Sequence, residues 1–199
     1  MPTLAKSPFI KLEDYGPTIQ LEQTTYALNA TTIDLSLSLV PWATFRKNKG
    51  AVKLHALLDL KGNLPTVAFI ANGKVHGVNI LDKLPIETGA IYIMDRGYLD
   101  YVRLYRLHQV AANFVTRAKS NARYDHCHYH KIDKTAGLRL DQVVTLHGYY
   151  TRKAYPERLR RIAYYEGNQS KKLIFLTKNF TLPALTITEI RLTRNWTSK

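Results

Sequence analysis

Residues 91–101 read IYIMDRGYLDY. The run Ile91–Met94 is short, continuous and apolar, and helical patterns lie on both sides of it. That combination predicts a strand buried on both faces, as in a parallel sheet covered by helices. Asp95 follows at the strand end, and Gly97 lets the backbone turn. Beyond it, YLDYVRLYRLHQVAA repeats apolar residues at Leu99, Val102, Leu104, Tyr105 and Val110, which predicts a helix. Open α/β sheets place ligands and metals at such strand ends. The plainer role for Asp95 is to cap the helix starting near Tyr98.

Upstream, TTYALNATTIDL (24–35) is rich in β-branched and aromatic residues, and AVKLHALLDL (51–60) with LPTVAFIANG (64–73) reads as a hairpin closed at KGN. Between them and the central stretch, HGVNILDKL has Val78, Ile80, Leu81 and Leu84 near helical spacing. Downstream, NFVTRAK (113–119) predicts a further strand, so the order is βββαβαβ. After Lys119 the segments YDHCHYHKI, DQVVTLHGYY, RLRRIAYYEG and KKLIFLTKNF predict short strands without an intervening helix. TLPALTITEIRLTRNWTSK opens as a helix that Thr186 or Thr188 could cap. Pro2, Pro8, Gly16 and Pro17 mark the start of the chain as a loosely ordered arm.

The chain has 199 residues, with 29 Lys and Arg against 15 Asp and Glu, for a net charge of +14. The positive residues are spread along its length, and no lipidation motif or basic amphipathic helix stands out. This predicts a polyanionic partner, nucleic acid ahead of acidic lipid. A single cysteine, Cys127, excludes an internal disulfide framework. No apolar run approaches the roughly 20 residues of a membrane helix or makes a signal peptide. The expectation is a cytoplasmic protein with no membrane partner.

Several blocks, in order and at consistent spacing, resemble one family: TTIDLSLSLVPWATFRKNKGAVKLH, NLPTVAFIANGKVHGV, YIMDRGYLDY, FVTRAKSNA, LRRIAYY and LIFLTKNF. They are similar to the DDE transposases of bacterial insertion sequences, in the group whose third acid lies in a Tyr, Arg, Glu, Lys (YREK) signature. The resemblance runs from about Tyr26 to Thr188. It implies an α/β fold of the ribonuclease H-like (integrase-like) class, a mixed sheet with a β-rich insertion. The expected division is an arm over 1–23, a catalytic core over 24–120, the insertion over 121–182, and over 183–199 the start of a truncated final core helix. It also implies Mg²⁺ as cofactor, transposon ends and target DNA as partners, a dimer with itself or with an intact transposase, and a nucleoid-associated bacterial location.

Carried over by position, Asp95 is the second catalytic aspartate and a metal ligand. The first aspartate belongs to a motif of aspartate, one residue, threonine, which here reads Asn29, Ala30, Thr31. Asparagine keeps one carbonyl oxygen but loses the charge a hard cation needs. Asp34 lies five residues further on, an odd separation that turns it to the opposite face of a regular strand. With Arg194 on the signature arginine, Arg191 stands where the tyrosine belongs and Ser198 where the glutamate belongs. The expectation is a catalytically inactive transposase fragment. The alternative is a non-catalytic DNA-binding fragment that inhibits an intact transposase.

For DNA contact the residues singled out are Arg46, Lys47, Lys49, Lys53, Arg117 and Lys119, with Arg158, Arg160 and Arg161 as weaker cases. His126, His128 and His130 alternate along a predicted strand, which puts three imidazoles on one face. Structural zinc prefers four ligands with a turn between pairs, so a polar strand is the reading. Trp42 and Tyr98 read as packing residues, with stacking on a flipped base as the sharper alternative.

Overall fold

Residues 25–35 and 49–59 carry the β-branched and apolar side chains that suit a pleated, half-buried surface. In the computed structural model, which describes residues 22–35, 44–46, 49–62, 64–166 and 171–192, they form two long antiparallel strands. These are β1 (Thr25–Leu35) and β3 (Lys49–Asp59), the latter preceded by the short β2 (Thr44–Arg46) and followed by antiparallel β4 (Leu64–Asn72). β5 (Ile91–Met94) lies parallel to β1, and β6 (Asn113–Arg117) lies parallel to β5, with α1 (Tyr101–Gln109) in the crossover. All four residues of β5 are buried, as its unbroken apolar run predicts.

The segments after Lys119 supply β7 (Tyr124–Tyr129), β8 (Leu138–Leu146), β9 (Leu159–Glu166) and β10 (Lys171–Thr177). They continue the same sheet, because β10 pairs with β6. Across the sheet the order is β2, β3, β1, β5, β6, β10, β9, β8, β7, with β4 also paired to β3. Antiparallel β4, β3 and β1 followed by parallel β5 and β6, with β1 in the interior, is the ribonuclease H-like arrangement. One short helix interrupts the later strands, α2 (Tyr149–Ala154), and α3 (Ala184–Leu192) follows them.

The two faces of the sheet are covered differently. One carries the larger core, where Leu28, Leu57, Tyr92, Met94 and Phe114 pack with Leu104 and Leu107 of α1 and with Tyr155. The other is covered by α3, whose Ala184 and Ile187 meet Ile91, Val115 and Ile162, and whose Ile190 meets Ala27 and Ile93.

Three local expectations are corrected. HGVNILDKL does not form an α-helix: Gly77–Asp82 is a 3-10 helix, entered through His76 without a side-chain cap and closed by Pro85. Asp95 does not cap α1 either. That helix starts at Tyr101, and its cap is Asp100, whose carboxylate accepts the Arg103 N–H at 3.0 Å. At α3, Thr186 and Thr188 lie inside the helix, and Thr188 Oγ1 donates to Leu185 O at 2.7 Å. The helix begins one turn earlier because Pro183 suits the start of a helix, its carbonyl accepting from the Ile187 N–H at 3.1 Å. Asn179 sets the approach by accepting the N–H groups of Thr181 and Leu182.

Beneath the turn after β5, His55 of β3 is fully buried and shares a 2.7 Å hydrogen bond through Nδ1 with the Tyr98 hydroxyl, while its Nε2 has no partner among the described residues. Burial pushes the His55 imidazole below its ordinary value of 6.5, and Lys53 adds to the effect. His108 is shifted the same way, chiefly by burial. The unfolded chain then binds more protons than the native one once pH drops below about 6.5, so this contribution is complete above that pH and is lost as pH falls through it. The melting temperature is expected to fall between about pH 7 and pH 5, and to fall less in His55→Gln. An equal slope in the variant would show that His55 does not titrate on unfolding.

Candidate functional site

The site is set by strand register. β1 and β5 pair in parallel as far as Leu28 with Met94, and β5 and β6 as far as Met94 with Thr116. One residue beyond, where the parallel pairing stops, Asn29 in the middle of β1, Asp95 just after β5 and Arg117 at the end of β6 stand side by side. Side chains alternate along a strand, so these three share the face of Ala27, Ile93 and Val115, the face that α3 covers. The next residue of α3 after Ile190 is Arg191. Four side chains from four elements therefore converge on one end of the sheet.

Their chemistry is unbalanced toward positive charge. Arg191 Nη2 donates to Asp95 Oδ1 at 3.3 Å; the arginine side chain is 8% exposed and the aspartate side chain 42%. Burial weakens the hold of the Arg191 guanidinium on its proton, the Asp95 carboxylate opposes this, and the nearby Arg117 adds to it. The Nε atoms of Arg191 and Arg117 are both buried without a hydrogen-bond partner among the described residues. Asn29 Oδ1 accepts the N–H of Ala30 at 2.7 Å, so its one acceptor oxygen is turned to its own backbone. Thr116 Oγ1 donates to the Asp95 carbonyl at 3.4 Å, which steadies the turn.

A pair of hard divalent cations requires several anionic oxygens. Here one oxygen donor is a neutral amide already engaged, the carboxylate is paired with a guanidinium, and a second guanidinium stands beside it. The described residues do not fit that group. Among them, no cluster of three or more His, Cys, Asp or Glu side chains could hold a metal ion. Asp34 is exposed, and β1 keeps regular register with β3 from Asn29 to Asp34, so it faces away from Asp95. Ser198 and Arg194 lie outside the described residues.

The basic residues singled out in the sequence fall into different environments. Arg46 belongs to β2 and Lys49 to β3; Lys47 and Trp42 lie outside the described residues. Lys53 directs Nζ to Val75 O at 3.2 Å, and Lys119 and Arg158 are exposed. Arg160 is not a surface contact. It is buried against Asp141 through two hydrogen bonds of 2.8 and 2.7 Å, and it also donates to Leu182 O at 2.6 Å. Arg161 lies over the Tyr124 ring with its Nε buried.

The three histidines do not share a face. A register shift between His126 and His128 puts an extra residue into β7. His126 stacks on Tyr129 with ring centroids 3.8 Å apart, while His128 meets His130 edge-on at 5.1 Å. Tyr98 is a buried packing residue. The contribution sequence reasoning missed is Arg191, read there only as the wrong residue at the tyrosine position. A signal was available: helical spacing puts position 191 on the same side as 184, 187 and 188, all buried.

Residues 25–195 match the family model described as Transposase DDE domain. Over 94 residues, 47% of this chain, the sequence is 33% identical to "Putative transposase y4zB" of Sinorhizobium fredii (strain NBRC 101917 / NGR234), and the match spans only 26% of that protein. The fold is similar to piggyBac transposase in a synaptic complex with hairpin DNA, at a TM-score of 0.49 and 10% identity over 85% of this chain and 38% of that one. An endonuclease V from Bacillus subtilis is similar at a TM-score of 0.33 and 8% identity, over 86% of this chain and 71% of that one. With the family match covering most of its length, the chain belongs to the DDE transposase domain family.

Proposed function

We propose that this chain is a transposase domain that binds DNA, the substrate of transposition at transposon ends, without cutting it. The observation that carries the reading is the ion pair between Arg191 and Asp95 at the carboxyl end of β5. By family resemblance, carboxylates at this place hold two Mg²⁺ ions, which activate the attacking oxygen and stabilise the leaving oxygen of an in-line phosphoryl displacement. In this chain the first aspartate position is Asn29, and Asp95 serves as counter-ion to an arginine. The net charge of +14 supports attraction to the phosphate backbone. A chain that occupies transposon ends without processing them would compete with an intact transposase, and inhibition is the role that follows.

The test is fluorescence anisotropy with a labelled DNA duplex, run beside a nicking assay on the same DNA. Binding is expected to weaken steeply with salt, roughly 10³-fold between 50 and 200 mM for a footprint of about six phosphates. No Mg²⁺-dependent nick is expected. Nicking or strand transfer that requires Mg²⁺ and is lost in Asp95→Asn would overturn the reading.

A further inference from the structure

The site that does not fit metal ions has the features of a site for the opposite charge. Two arginines from different elements, Arg117 at the end of β6 and Arg191 on α3, lie near enough for their charges to oppose each other at the carboxyl ends of the parallel strands β5 and β6, where open α/β sheets bind ligands. The Arg191 side chain is more than nine-tenths buried, and both Nε donors lack a partner among the described residues. A buried donor left unsatisfied is costly, so the site gains by taking an acceptor. Asp95 supplies one at 3.3 Å, longer than the usual charge-assisted contact of about 2.7–2.9 Å. Asp95 is also the exposed partner of the pair, at 42%, so an incoming anion has access from its side.

We propose that Arg191 and Arg117 form an oxyanion site that takes one phosphate group in competition with the Asp95 carboxylate. Planar guanidiniums present paired N–H donors matched to phosphate oxygens. Asp95 then acts as a built-in competitor that occupies Arg191 until a phosphate displaces it. The proposal rests on the reading that this end of the sheet holds no metal pair, and it adds the ligand class. The phosphate could be a DNA phosphodiester or a free phosphate ion.

The competition predicts opposite signs in one variant. In chloride buffer Asp95→Asn should melt below the native chain, because Arg191 loses its counter-ion. In phosphate at equal ionic strength its melting temperature should rise more than that of the native chain, and its affinity for a short duplex should increase several-fold. Arg191→Gln should lose the phosphate response and lower the salt slope of duplex binding by about one. Arg117→Gln gives the same reading if Arg191→Gln does not fold. A response to duplex alone assigns the site to a phosphodiester, and a response to inorganic phosphate alone assigns it to the free ion. The proposal is overturned if Asp95→Asn gains no phosphate or duplex affinity, or if the arginine variants respond like the native chain. Native duplex binding without nicking would leave the functional reading intact even then, whereas Mg²⁺-dependent nicking would remove both.

Discussion

Asp141→Ala is expected to destabilise the protein by roughly 3–5 kcal/mol, the range seen when one member of a buried ion pair is removed. Arg160 and Asp141 have side chains 7% and 5% exposed and are joined by two hydrogen bonds of 2.8 and 2.7 Å. Without the carboxylate, the guanidinium stays buried against the carbonyls of Leu182 and Asn179, which carry dipoles but no charge. The effect should extend beyond β8 and β9. Arg160 holds Leu182 at 2.6 Å, just before α3 begins, so it fixes how α3 enters its place on the sheet. Urea denaturation checks the magnitude. Asp141→Leu combined with Arg160→Met should cost less than Asp141→Ala, because no charge is left alone. A loss below about 1 kcal/mol for Asp141→Ala would mean that Arg160 escapes to solvent and that α3 does not depend on it.

The second large effect concerns the charge of the site. Asn29→Asp combined with Arg191→Gln should create divalent-cation binding. The two substitutions place a second carboxylate beside Asp95 and remove the guanidinium that now pairs with it. A dissociation constant for Mn²⁺ on the order of 10⁻⁴ to 10⁻³ M is expected, typical of weak oxygen-ligand sites. Asn29→Asp alone should gain little, because the new carboxylate would lie beside Arg117 and Arg191 and be neutralised by them. Equal metal affinity in the single and double variants, measured calorimetrically, would show that Arg191 is not the obstacle.

The parts of the fold set by local pattern were legible in the sequence. The buried run Ile91–Met94, the long strands on either side of KGN, and the helix after Asp100 follow from apolar periodicity and turn residues. The end of β5 at Asp95 follows with them, whereas Asn29 was set beside Asp95 only by the family resemblance, since β1 runs on past it to Leu35. Features that depend on tertiary partners were not legible. Arg160 looks like any basic residue of a strand until β8 brings Asp141, diagonal to it across the pairing of Val143 with Arg160, within hydrogen-bond reach. The bulge in β7 leaves no clear trace in HCHYH, yet one extra residue undoes the expected face of three histidines. Arg191 shows the same limit at the site. Its position marked a missing tyrosine, whereas its length and burial, which let it reach Asp95, belong to the packing of α3.

The most direct measurement is a calorimetric titration of Mg²⁺ and Mn²⁺ into the native chain in chloride buffer. No saturable binding is expected at concentrations up to the order of 10⁻³ M, because Arg191 already neutralises Asp95 and Asn29 adds no charge. Saturable binding at or below that concentration, abolished by Asp95→Asn, would contradict a site closed to metal.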